Sequence, residues 1–216
     1  MKSVLVTGFG PYEEELDNPS GRIAQALDGT TVGAVAFHGC VLPVSARAAP
    51  PLLRRTIESL KPDVVIVTGV TPARSKPALE RVAINVADYP IPDNDGLMSI
   101  DSPLETVGPA AYFSTLPIKA ILAEWTAGRI AGYVSNTAGT YLCNQIFYTA
   151  QHATAQTTCI SGLVHIPVPS THHGHGSHSP TSPPDFETLV EAIRSAGIVA
   201  ATRVGPDLVL GAGSTS

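Results

Sequence analysis

Three side chains in this sequence are of the types that nucleophilic acyl chemistry needs: the thiol of Cys143, the imidazole of His165 and the carboxylate of Glu80. A thiolate attacks carbonyl carbon. An imidazole, with an ordinary pKa of about 6.5, can take the thiol proton and return it to a leaving amine. A carboxylate beside the imidazole fixes its tautomer and supports its charged form.

Each residue also has a plain alternative. Free cysteine is often a small buried hydrophobe, and a lone histidine in an apolar strand is usually a satisfied core residue. Glu80, next to Arg81, could be half of a surface ion pair. The surroundings of Cys143 single it out. In "SNTAGTYLCNQIFY" (residues 135–148), Ser135, Asn136 and Thr137 are cap formers, so the thiol is expected about one turn inside a helix, near free N–H groups and the positive dipole end. That environment favours thiolate. Cys40 and Cys159 lie in strand-like apolar segments and read as structural.

Of the seven histidines, His38 and His152 have no distinctive neighbours, and four lie in "THHGHGSHSPTSPP". His165 is the one left, at the end of an apolar run in "LVHIPV", where Pro167 stops strand pairing. Its ring can then stand at the carboxyl edge of a sheet, where α/β sites gather.

The elements that must position these groups alternate. "SVLVTGF" and "DVVIVTG" are apolar runs with the pattern of strands buried on both faces. Between them, "DNPSGRIAQAL" offers Asp17 or Asn18 as cap with Pro19 in the first turn, and Leu53, Ile57 and Leu60 recur at helical spacing. "ERVAINV" alternates like a strand with one wet face, and "DYPIPDNDG" reads as a loop because Pro90 and Pro92 interrupt it. "LPIKAILAEW" reads as a helix, while "AGYVSN" and "TCISGLVHIPV" read as strands. A last helix follows Ser182, which with Asp185 fits a capping box, and its stripe is Phe186, Leu189, Val190 and Ile193. The whole is an α/β chain with a largely parallel sheet covered on both faces. Residues 1–216 read as one domain, with a flexible His/Gly/Ser/Pro-rich loop at about 171–184 that lacks the rigid spacing of a metal site.

Composition narrows the function. The 44% hydrophobic content supports a real core, and a formal charge of −5 without a basic cluster argues against nucleic acid or a membrane surface as partner. Three cysteines, an odd number, suit free thiols in a reducing compartment, so a cytoplasmic location is expected. "TGFGPYE" carries Gly8 and Gly10 but has Glu13 where a dinucleotide fingerprint needs its third glycine, and no G-x-S-x-G elbow occurs.

Taken together and in order, "VLVTGFGPY" with "NPS", "ERVAINV", "IPDNDG", the Cys143 segment and "HIPV" resemble the type I pyroglutamyl peptidases, or pyrrolidone carboxyl peptidases. The resemblance covers nearly the whole chain. It implies a single α/β/α sandwich like that of nucleoside phosphorylases, a Cys143–His165–Glu80 triad, no metal or cofactor, and a homo-oligomer, dimer or tetramer. It also implies a cysteine exopeptidase that removes N-terminal pyroglutamate from peptides through an acyl-enzyme. Phe9, Tyr12, Ile91, Tyr141 and Leu142 fall where the family lines its lactam slot, with Asn18 as a hydrogen-bonding candidate that could equally be a helix cap.

The chain departs from the family in the turn "GVTPAR", where Val70 replaces a glutamine and Pro72 stiffens the backbone. Pro90 stands where the family has an arginine placed to steady the site, and Tyr12 stands where phenylalanine is usual. Arg74 is then a candidate for the missing donor. Two other readings follow: a divergent member that binds a lactam or peptide end with little catalysis, and a nucleoside-binding, phosphorylase-like protein.

Overall fold

The computed structural model describes residues 1–12, 17–170 and 183–213. The chain begins β1 (Lys2–Phe9), α1 (Pro19–Leu27), β2 (Thr31–Val32), β3 (Val35–Leu42), α2 (Ala49–Leu60), β4 (Val64–Val70). It continues β5 (Ala78–Glu80), β6 (Val82–Ile84), β7 (Ala111–Phe113), α3 (Ile118–Ala127), β8 (Tyr133–Ser135), α4 (Leu142–Thr154), β9 (Ile160–Ile166), α5 (Phe186–Thr202). Seven strands form one sheet in the order β2-β3-β1-β4-β9-β5-β8, and β6 pairs with β7 apart from it. Within the large sheet, β1–β3, β1–β4, β4–β9 and β5–β8 are parallel, whereas β2–β3 and β5–β9 are antiparallel.

The central strands are apolar throughout because both of their faces are covered. Val4, Val6, Val64, Ile66, Val164 and Ile166 pack with α1, α3 and α5, while Leu5, Val65, Val67 and Leu163 pack with α2 and α4. This is the expected three-layer α/β/α sandwich. Trp125 on α3, fully buried, donates its indole N–H to Ala192 O at 2.9 Å and so joins α3 to α5. No helix among the described residues is long and apolar enough to cross a membrane.

Helix α1 begins as its sequence suggests. Asn18 accepts from Ser20 N–H at 3.1 Å, and Pro19 needs no amide partner in the first turn. The helix lies directly on strand backbone, since a Cβ on Gly21 would fall 2.3 Å from Phe9 O and one on Gly8 would fall 2.0 Å from Ser20 O. That close approach holds the turn after β1.

Three local expectations need correction. "ERVAINV" is two strands rather than one: at Arg81 the chain leaves the large sheet, its N–H going to Ser135 O and its carbonyl to Ser114 N–H, and β6 then pairs with β7. Helix α5 starts later than the capping-box reading, because Asp185 is itself the cap and accepts from Thr188 N–H at 2.9 Å, which leaves Pro183 outside the helix. Ser182 and residues 171–181 lie outside the described residues. The α5 stripe does pack inward as expected, with Leu189, Val190 and Ile193 in the core and Phe186 against it. The third correction concerns the start of α4 and is taken up with the site.

Gly21→Ala separates propensity from packing. Alanine favours a helix interior by about 1 kcal/mol over glycine, but here its methyl overlaps a carbonyl. We expect a net loss of about 2 kcal/mol and a thermal midpoint lower by roughly 4–8 °C, read by circular dichroism. A raised midpoint would contradict the packing argument.

Candidate active site

Strand register assembles the site around His165. In the sheet it lies beside Gly69 of β4 and opposite Ala78 of β5, two small residues that leave room on the face covered by α2 and α4. Across the antiparallel β5–β9 pair, Glu80 is two residues beyond Ala78 on that same face, a diagonal separation that a long side chain can span. Glu80 Oε1 lies 2.7 Å from His165 Nδ1. The ionised carboxylate can only accept, so Nδ1 carries the proton and Nε2 is left to face other groups.

Helix α4 brings the thiol to the same place. A Cβ on Gly69 would lie 2.5 Å from Cys143 Sγ and 3.6 Å from His165 Cδ2, so thiol and imidazole meet over the bare glycine. The two side chains are near enough for the thiol to act on the imidazole. His165 is only 4% exposed and Glu80 is fully buried. Burial by itself depresses the imidazole pKa, but the negative charge and hydrogen bond of Cys143, with the hydrogen bond and charge of Glu80, outweigh it and raise His165 to about 9.

The helix carrying Cys143 starts closer to it than the cap formers suggest. Ser135 ends β8, and Ser135 and Thr137 spend their hydroxyls within the turn, on Thr137 N–H at 3.3 Å and Gly139 N–H at 3.1 Å. Gly139, at φ 73°, supplies the left-handed step. The cap position is Tyr141, whose side chain makes no capping bond, and Cys143 is the second helical residue. The first amide to close a bond is that of Gln145, onto Tyr141 O at 3.1 Å. The amides of Leu142, Cys143 and Asn144 precede it and, by position, have no intrahelical acceptor. A thiolate at Cys143 therefore sits in the first turn, where the helix dipole favours anions most.

Asn144, which the sequence did not flag, anchors this turn. Its Oδ1 accepts from Ile84 N–H at 2.9 Å, and its Nδ2 donates to Ile84 O at 2.9 Å and Val86 O at 3.0 Å. The side chain thus serves as a strand partner for the end of β6 and the residues just after it. Gly69 was also missed, although a glycine at the end of an apolar strand signals close approach.

Arg74 is not free to replace the family arginine. Its Nη1 donates to Glu80 Oε1 at 2.5 Å, and its Nη2 donates to Ser135 Oγ and Thr137 O, each at 3.2 Å. Pro90 itself is exposed. The residue before it, Tyr89, is buried, with its hydroxyl 2.5 Å from Gln145 Oε1 and its ring edge-on to Tyr141 at 4.8 Å.

The residues expected to line the slot divide. Tyr12 and Tyr141 come together, each donating a hydroxyl to Pro92 O at 3.0 Å, beside the half-exposed Ile91. The extra hydroxyl of Tyr12 therefore fastens the 91–94 loop. Phe9 and Leu142 are 5% and 2% exposed and pack into the core on the α2/α4 face. Asn18 caps α1 and donates Nδ2 to Gly10 O at 3.0 Å, and it shares a cleft with Val70, Pro72, Val168 and Phe186. Cys40 and Cys159 are part-buried thiols, Cys159 lying just before β9. Burial raises both, Cys159 to about 11, which keeps them protonated. Among the described residues, no group of three or more His, Cys, Asp or Glu side chains could hold a metal ion.

A thiol at a helix N-terminus, an imidazole against it and a buried carboxylate behind, all at the edge of an α/β sheet, make the constellation of a thiol hydrolase. Residues 2–204 match the pyroglutamyl peptidase family along almost the whole chain. The pyrrolidone-carboxylate peptidase of Pseudomonas fluorescens is 42% identical over 201 residues, covering 93% of each protein, and that of Pyrococcus furiosus is 45% identical over 166 residues, 76% of this chain and 80% of the relative. The solved pyrrolidone carboxyl peptidase of Thermococcus litoralis superposes with a TM-score of 0.85 at 35% identity, over 93% of both chains. The chain belongs to the pyroglutamyl peptidase family of cysteine peptidases.

The contact over Gly69 is directly testable. Gly69→Ala would push the thiol from its position beside His165. We expect alkylation of Cys143 by iodoacetamide to slow roughly tenfold or more, since positioning errors of this size cost that much, with fold retained by circular dichroism. An unchanged rate would contradict the geometry.

Proposed function

We propose that this chain removes N-terminal pyroglutamate from peptides, with Cys143 as nucleophile, His165 as general acid–base and Glu80 as the group that orients and charges His165. The observation that carries this reading is the contact of Glu80 Oε1 with His165 Nδ1, at 2.7 Å, together with the placement of the His165 ring and the Cys143 thiol side by side over Gly69. The Cys143 thiolate attacks the carbonyl that joins pyroglutamate to the next residue. The oxyanion that forms is met by the unbonded amides at the start of α4, which point along the helix axis toward it. His165, as imidazolium, gives its proton to the leaving amine, and the C–N bond breaks to leave a thioester. Water, deprotonated by His165, then hydrolyses the thioester and releases pyroglutamate and free thiol.

The loop pinned by Tyr12 and Tyr141 offers the apolar, hydrogen-bonding wall that a small uncharged lactam needs. On this reading the amides at the start of α4 stand in for the arginine absent at Pro90, so the family chemistry proceeds without it. The same reading takes residues 1–216 as one peptidase domain, cytoplasmic and homo-oligomeric, acting on peptides that begin with pyroglutamate.

Release of a fluorogenic amine from a pyroglutamyl amide tests the reading. We expect thiol-dependent release in the wild type and a fall of at least a thousandfold in Cys143→Ala, as for other lost nucleophiles. Undiminished release in that variant would refute it. Because His165 is raised, its proton is present at neutral pH and is lost as pH rises through about 9, so kcat/KM should decline only above that value. A decline beginning near pH 6.5, the ordinary histidine value, would mean that Glu80 and Cys143 do not hold the imidazole in its charged form.

A further inference from the structure

We propose that Arg74 is a positioning residue for the reaction: it holds a permanent positive charge against the buried Glu80 carboxylate and aims it at His165, and it ties that carboxylate to the turn that leads into Cys143. The proposal rests on the cysteine-peptidase reading above and adds a residue that acts through Glu80.

Both donors converge on one oxygen. Arg74 Nη1 and His165 Nδ1 lie 2.5 and 2.7 Å from Glu80 Oε1, while Oε2 is buried and makes no hydrogen bond among the described residues. Glu80 has 0% of its side chain exposed and Arg74 only 17%. A carboxylate at that depth is strongly disfavoured unless a positive charge is held against it. His165 cannot be that charge at every step, because it gives up its proton during turnover. A guanidinium does not titrate in this range, so Arg74 is the charge that persists when the imidazole is neutral.

The guanidinium also spans two parts of the site. Nη2 donates to Ser135 Oγ and Thr137 O, at the end of β8 and in the turn before α4, and the group lies over the Tyr133 ring at 5.7 Å. Arg74 thereby connects the carboxylate on β5 to the segment that delivers the nucleophile. The charged and titratable groups facing this cluster are few. Glu80 meets His165 from β9 and Arg74 from the segment after β4. His165 meets Cys143 from α4 and Glu80 from β5. The neighbouring Arg81 is turned to Asn136 Oδ1 at 2.8 Å.

Removing a positive charge makes each nearby group hold its proton more tightly, whereas a merely structural loss lowers activity without moving its pH dependence. The test is the pH dependence of Cys143 alkylation by iodoacetamide, read by mass spectrometry of the Cys143 peptide, with pyroglutamyl amide hydrolysis in parallel. In Arg74→Gln we expect the alkylation midpoint to rise by about half a unit to one unit, and kcat to fall roughly tenfold or more with little change in KM. Arg74→Lys, which keeps the charge but not the planar fork, should restore the midpoint and only part of kcat. An unchanged midpoint in folded Arg74→Gln overturns the proposal. Should that variant not fold, Arg74→Lys decides, since kcat equal to wild type there would overturn the role of the fork. If wild-type protein releases no amine while its alkylation midpoint still depends on Arg74, the peptidase reading fails and the positioning role stands.

Discussion

A carboxylate taken out of water must be met by positive charge or accept a proton, and in this protein that condition falls on Glu80. Its side chain is fully buried, and a single oxygen receives both His165 and Arg74. The surrounding architecture reads as the means of meeting that condition. The β5–β9 register sets Glu80 one diagonal step from His165, the loop after β4 returns Arg74 to the same carboxylate, and the β8 turn accepts the remaining arginine donors. The orienting acid, the imidazole and the thiol are consequently placed by three separate elements on one face of one sheet.

Small residues matter as much as charged ones. His165 is flanked by Gly69 and Ala78, and the space where a side chain at 69 would stand is filled by the Cys143 sulfur. Glycines play the same part at the β1–α1 contact, where Gly8 and Gly21 allow backbone to lie on backbone. Close approach of this kind fixes positions to within a fraction of an ångström without asking flexible side chains to do it. The thiol gains a second constraint from Asn144, which holds the first turn of α4 to the end of β6 and to Val86 just beyond it.

Much of this was legible in the sequence, for identifiable reasons. Apolar runs ending in glycine gave β1 and β4, because a strand covered on both faces has no polar positions to show. Asn18 and Pro19 marked the start of α1 through local chemistry alone. The types of Glu80, Cys143 and His165 suggested their partnership, and the family resemblance tied them together. Ser135, Asn136 and Thr137 misled because residues that cap helices are the same ones that build turns, and here they build the turn. "ERVAINV" misled because its alternation is real but its two halves pair with different strands. The bond from Arg74 to Glu80 was not readable at all: it depends on where the chain returns after β4, which is a property of the tertiary fold.

The central claim is that Glu80 and Cys143 together hold His165 as an imidazolium deep inside the protein, against the pull of burial. Nitrogen-15 NMR of histidine-labelled protein measures this directly through the ring-nitrogen shifts of His165 as pH is varied. The account predicts that His165 stays protonated through neutral pH and titrates near pH 9. Titration near the ordinary value of about 6.5, or a neutral ring throughout, would contradict it.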